Sequence, residues 1–127
     1  MTVGEIKALV MFQTNNDAED VADYLPYLGS YLSEGYDRLV YAWAGIHPTD
    51  DGEEYQTLTD DNQEPKLPEW LHKSIADWAT WLVYRNGNPD KQNRGYAFRT
   101  SFEETLRQIA VQGGASGSVK HFTNIPY

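Results

Sequence analysis

Leu67, Leu71, Ile75, Trp78 and Leu82 recur at steps of four, four, three and four, and no other feature constrains the fold of this chain as tightly. That spacing puts all five on one face of an α-helix, whereas a strand would send them alternately to both faces. Pro68 and Glu69 suit a first turn, where a missing amide costs nothing and a carboxylate meets the positive end of the helix dipole. Asn86-Gly87 followed by Pro89 is stop chemistry. The spacing therefore predicts a helix over 67–85. Trp70, Trp81 and Tyr84 lie off the stripe on an adjoining face. Those faces exceed what one small core can cover, so all three are predicted interface residues.

Three further helices follow by the same reasoning. Thr2 and Glu5 have capping-box spacing ahead of Ile6, Leu9 and Val10, which predicts a first helix over 3–13. Val21, Leu25, Leu28, Leu32, Tyr36, Leu39 and Trp43 form a second stripe over 17–44, with a kink or break expected at Pro26. Thr100–Glu103 and Ser101–Glu104 are overlapping capping boxes before Phe102, Leu106 and Ile109, which predicts a last helix from about residue 101 to Gln112, with 88–95 as polar connection. Between Gly45 and Lys66 no helical period is visible, and Tyr55, Thr57 and Leu58 could form a short strand. The reading is all-α: a small bundle of about four helices over 1–112 with a long acidic loop, then a linker and extended docking tail over 113–127.

Composition narrows the class of function. The 127 residues include no cysteine, which removes disulfides, thiolate zinc sites and thiol nucleophiles and suits a reducing cytoplasm. No secretory leader or membrane-spanning run is visible, so a soluble protein with no membrane partner is expected. The net charge of −9 is unevenly placed. Residues 17–64 hold thirteen acids against one arginine, a net of −12, while 65–127 hold five acids against eight bases, a net of +3. A protein built to grip duplex DNA shows the opposite balance.

Signatures of catalysis are missing from the sequence. The loop acids Asp50, Asp51, Glu53, Glu54, Asp60, Asp61 and Glu64, with His47, supply oxygen ligands but not the acid ladder and terminal Glu of a calcium-binding hand. His47, His72 and His121 show no ligand spacing. Serine-nucleophile motifs, phosphate loops and HExxH are absent, and Gly113-Gly114 follows a helix when a phosphate site would need it to open one. The expectation is a non-enzymatic protein without metal or cofactor.

Glu5-Ile6-Lys7-Ala8-Leu9, the acidic Asn16-Asp17-Ala18-Glu19-Asp20, a long helix, an irregular segment, and then Leu67-Pro68-Glu69-Trp70-Leu71 running into Trp81-Leu82-Val83-Tyr84-Arg85-Asn86 form an ordered layout. It resembles the small helical head–tail connector (adaptor, or neck) proteins of tailed bacteriophages over residues 3–112. Pro26, the long acidic loop and the tail depart from that pattern. The resemblance implies a virion structural protein, made in the host cytoplasm and placed in the neck. Its subunits would form a homo-oligomeric ring, a dodecamer, beneath the portal protein. A tail or head-completion (stopper) protein would follow, with DNA passing through the ring without specific binding. Acids Asp50, Asp51, Glu53, Glu54, Asp60 and Asp61 would then line the channel, where cargo must slide. The alternative is an acidic DNA mimic that inhibits a DNA-processing enzyme.

The C-terminus carries its own expectation. Gly113-Gly114-Ala115-Ser116-Gly117-Ser118 is linker composition, and Val119, Phe122, Ile125 and Tyr127 follow it. Nine residues cannot bury those groups on themselves, so they are predicted to dock on a neighbour.

Overall fold

The computed structural model describes residues 1–14, 22–46 and 55–113. Among these residues the protein is all-α, with four helices: α1 (Val3–Gln13), α2 (Leu28–Ile46), α3 (Glu69–Arg85) and α4 (Pro89–Gly113). The acids Asp50, Asp51, Glu53 and Glu54 and the tail residues Val119, Phe122, Ile125 and Tyr127 lie outside the described residues.

α1 begins as its sequence predicts. Glu5 N donates to Thr2 Oγ1 at 3.2 Å and Thr2 N donates back to Glu5 Oε1 at 2.8 Å. The two remaining free amides of the first turn are met from far along the chain. Val3 N donates to Gln63 O and Gly4 N to Asp61 O, each at 2.8 Å. The loop supplying those carbonyls is held by its own side chains. Gln63 Oε1 accepts from Thr59 N at 2.9 Å while Gln63 Nε2 donates to Thr57 O at 2.9 Å. Asn62 N donates to Asp60 Oδ1 at 2.9 Å, and Asp61 pairs with Lys7 at 2.7 Å. Residues 55–60 have no regular secondary structure, so the strand expected around Tyr55–Leu58 does not form. Gln63 and Asp60 bond along the loop's own segment, Asp61 reaches Lys7, and the carbonyls of Asp61 and Gln63 turn to a helix end.

Pro26 interrupts the second stripe as expected. Residues 22–24 are helical, Leu25–Tyr27 tighten into a 3-10 turn, and α2 runs from Leu28. A proline ring leaves no amide for the preceding turn and crowds its carbonyl, so the axis is reset there.

α3 is the centre of the molecule and packs on all three other helices. Twelve of its seventeen residues are buried, which decides its place, since a helix apolar on one face only would lie at the surface. α2 runs antiparallel to it: Trp43 meets Trp70 at one end and Tyr31 accepts from Asn86 at the other. α4 is antiparallel as well, with Phe102 against Trp78 and Ser74 bonded to Thr105. α1 is parallel, since Met1 reaches Glu69 and Gln13 reaches Asp77 and Thr80.

α4 is longer than the sequence suggests. It starts at Pro89 and spans twenty-five residues, so 88–95 is not a connection and the capping boxes at 100–104 fall inside the helix. Asn88 is the actual cap: its Oδ1 accepts from Lys91 N at 3.0 Å and its carbonyl from Gln92 N at 2.9 Å. Gly95 lies where α4 crosses α3 most closely. A Cβ there would stand 2.7 Å from Tyr84 Cβ and 2.8 Å from Trp81 Cε3. Gly35 does the same for α2, where a Cβ would stand 3.1 Å from Trp78 Cβ.

Candidate interaction surfaces

The large aromatic side chains of α3 are mostly consumed within the bundle. Trp78 packs on Phe102 at 4.8 Å between ring centroids, Trp81 stacks on Tyr96 at 5.1 Å, and Tyr84 stacks on Phe98 at 6.2 Å. Arg99 covers the Trp81 ring from outside at 5.5 Å. Trp81 is therefore only 5% exposed and Tyr84 only 6%. Both were expected at an interface, and both are instead core, because the early start of α4 lays another helix over that face. Trp70 differs. It touches Trp43 edge-on at 6.2 Å, borders the last turns of α4 across a groove, and remains 42% exposed.

The loop acids within the described residues are exposed at Asp60 and Asp61. Asp61 is tied to Lys7 and Asp60 to its own turn, so their carboxylates have structural partners close by. Among the described residues no group of three or more His, Asp or Glu side chains is arranged to hold a metal ion.

Most buried polar side chains of α1 and α3 are held by partners within the bundle. Asp77 is buried, with Lys73 Nζ at 3.1 Å and Gln13 Nε2 at 3.0 Å. Gln13 Oε1 in turn accepts from Thr80 Oγ1 at 2.6 Å, so one amide joins two buried groups of α3 to the end of α1. His72 Nε2 lies 3.1 Å from Pro65 O and 2.9 Å from Leu67 O, which makes it the protonated nitrogen. Nδ1 is then the acceptor for the Met1 ammonium at 3.0 Å. Glu69 completes that cluster at 2.9 Å, which raises the pKa of the ammonium and lowers that of the carboxyl. Among the described residues the buried Tyr36 hydroxyl has no well-formed hydrogen bond, and burial pushes its pKa up, with the nearby Lys66 backbone opposing.

What remains for interaction is two patches at opposite ends of α3, about 24 Å apart at 1.5 Å per residue. At the end where α3 starts, Trp70 and Val111 are exposed on either side of a shallow groove with Glu104, Arg107 and Gln108. Beside it on α2, Tyr41 is 87% exposed above a second groove formed with Asp37, Ala42 and Leu106. At the end where α3 stops, Phe12, Leu25 and Tyr27 are exposed. There Tyr24, Tyr27, Tyr31 and Tyr84 wall a cleft of about 220 Å³, with Asp23, Asn86 and Lys91 also at its lining. Sequence periodicity assigned Leu25 to the buried stripe and gave no role to Tyr41 or Phe12. The signal that could have found Tyr41 is its place off the stripe while still aromatic. Isolated exposed apolar residues need no explanation, but clusters rimmed by polar groups mark contact sites.

No family model, curated protein or solved structure matches the chain.

Proposed function

We propose that the chain is a subunit of a phage head–tail connector, a ring beneath the portal through which DNA passes. The observation that carries this reading is the pair of unlike aromatic patches at opposite ends of a bundle whose own core is closed. A subunit with one sticky face pairs two-fold and stops. A subunit with two different faces joins head to tail and closes into a ring when the rotation allows. The helix order, with a central proline-started helix, supports the same reading through the resemblance described above. The charge pattern supports it too, since an excess of acid over 17–64 opposes tight binding of a cargo that must slide.

The test is co-expression with portal protein and electron microscopy of purified particles. A ring of this chain on the portal, together with no duplex-DNA binding by the free chain at physiological salt, is the expected result. Tight, salt-sensitive binding to duplex DNA would refute the reading. Stoichiometric capture of a DNA-processing enzyme, with no affinity for portal, would replace it with the acidic DNA mimic.

A further inference from the structure

We propose that Tyr41 of one copy enters the tyrosine-walled cleft of the next copy, so that this contact is the repeating unit of assembly. The proposal rests on the ring-forming reading and names its contact. Tyr41 is the most exposed of the large apolar side chains among the described residues, standing clear of α2. The cleft walled by Tyr24, Tyr27, Tyr31 and Tyr84 has about 220 Å³, room for one aromatic ring, and offers the ring faces and edges that aromatic pairs favour.

The charges agree with the fit. Asp37 lies one turn before Tyr41, on the same face of α2, and makes no ion pair among the described residues. Neighbouring Arg38 is already taken up by Trp78, over whose ring it sits at 4.4 Å, and by Glu34. The cleft carries Lys91 at its lining, and Arg85 and Arg94 are exposed at the same end of the bundle without an ion pair among the described residues. A carboxylate beside the knob thus meets cations beside the cleft. The Asp23 carboxylate at the cleft can accept from the incoming phenol. Knob and cleft lie at different ends of α2, about 20 Å apart along its axis, so the contact joins unlike surfaces. Joined head to tail, each copy that docks leaves one free knob and one free cleft, whereas a reciprocal two-fold pair would use both and stop, which is the arrangement that association beyond the dimer rules out.

The test uses the full chain at its highest soluble concentration, with sedimentation velocity as readout and circular dichroism to verify each fold. Wild type is expected to associate beyond the dimer. Tyr41→Ala removes the knob and Tyr27→Asp sets a carboxylate at the cleft against Asp37; each alone is expected to stay monomeric. Mixed, they are expected to form dimers and nothing larger, because only one knob and one intact cleft remain per pair. Asp37→Lys should weaken self-association about two- to fivefold, the scale of an exposed ion pair, and Asp37→Lys with Arg85→Glu should restore it. A wild type that stays monomeric or stops at a two-fold dimer overturns the proposal. So does either single variant associating like wild type, or a mixture that remains monomeric. Portal binding and DNA exclusion are read separately, so the connector reading can fail while this contact stands, and the reverse.

Discussion

Replacing Gly95 by Ala sets two opposed effects against each other within α4. In an exposed helix interior, alanine is better than glycine by about 1 kcal/mol, through the backbone freedom it removes from the unfolded chain. At position 95 the added methyl would lie 2.7 Å from Tyr84 Cβ and 2.8 Å from Trp81 Cε3. Neither neighbour can yield cheaply. Tyr84 Cβ is fixed to the α3 backbone, and the Trp81 ring is held between Tyr96 and Arg99. Ordinary contact needs about 1 Å more, so the two helices must part. Overpacking of this kind costs about 1–3 kcal/mol, and the upper half of that range applies where the obstruction is backbone-fixed. The net expectation is a loss of about 1–2 kcal/mol, near 4–8 °C in melting temperature for a chain of this size. Urea denaturation followed by tryptophan fluorescence and far-ultraviolet dichroism measures it. Gly29→Ala is the matched control, since its Cβ would meet nothing within 4 Å and should leave stability unchanged or raise it slightly. If Gly95→Ala proves as stable as wild type, the close crossing of α3 and α4 is wrong.

Trp81→Ala should cost about 3–5 kcal/mol, as buried aromatics do, whereas Trp70→Ala should cost under about 1.5 kcal/mol; equal losses would place both side chains in the same environment. Gln13→Ala strips a partner from buried Asp77 and another from buried Thr80, with an expected loss of about 2 kcal/mol by denaturant melts. The Glu5 carboxyl is held below its ordinary value by bonds from the Thr2 amide and then the Thr2 hydroxyl. A lowered carboxyl gives stability that is present above its ordinary value of 4.5 and is lost as pH falls through the folded value, so Glu5→Gln should flatten that part of the acid limb. Deleting 114–127 should leave the melt of the helical domain unchanged and block assembly into particles with intact necks; a deletion that assembles normally removes the tail from the mechanism.

Local chemistry was legible in the sequence, and long-range covering was not. α1 could be placed to the residue because Thr2 and Glu5 meet within one turn. α3 could be placed because its stripe is uninterrupted, and the break at Pro26 because a ring forces it. The start of α4 was hidden. Its inward positions there are Lys91, Gln92 and Gly95, which carry no apolar signal, although Gly95 is where the contact is closest. That omission decided the fate of Trp81 and Tyr84 as well. Whether an aromatic off the main stripe faces water or another helix depends on how far the covering helix extends, and the second turn of α4 was the missing cover. Tyr41 and the tyrosine cleft depend on three helices meeting, which periodicity along one helix does not report.

The two carbonyls that Asp61 and Gln63 lend to the start of α1 have a consequence for the order in which structure forms and opens. α1 has eleven residues, too few to persist alone in water, and its cap is completed from some sixty positions downstream. Its packing partners, α3 above all, are equally remote in sequence. Closing that long chain segment must precede the reward, so α1 is expected to join a hairpin of α3 and α4 that forms from near neighbours first. In the folded protein the same linkage runs backwards. Release of the 57–63 turn would uncap α1, and the amides of Val3 and Gly4 are expected to exchange together with those of the turn, ahead of the α3 core.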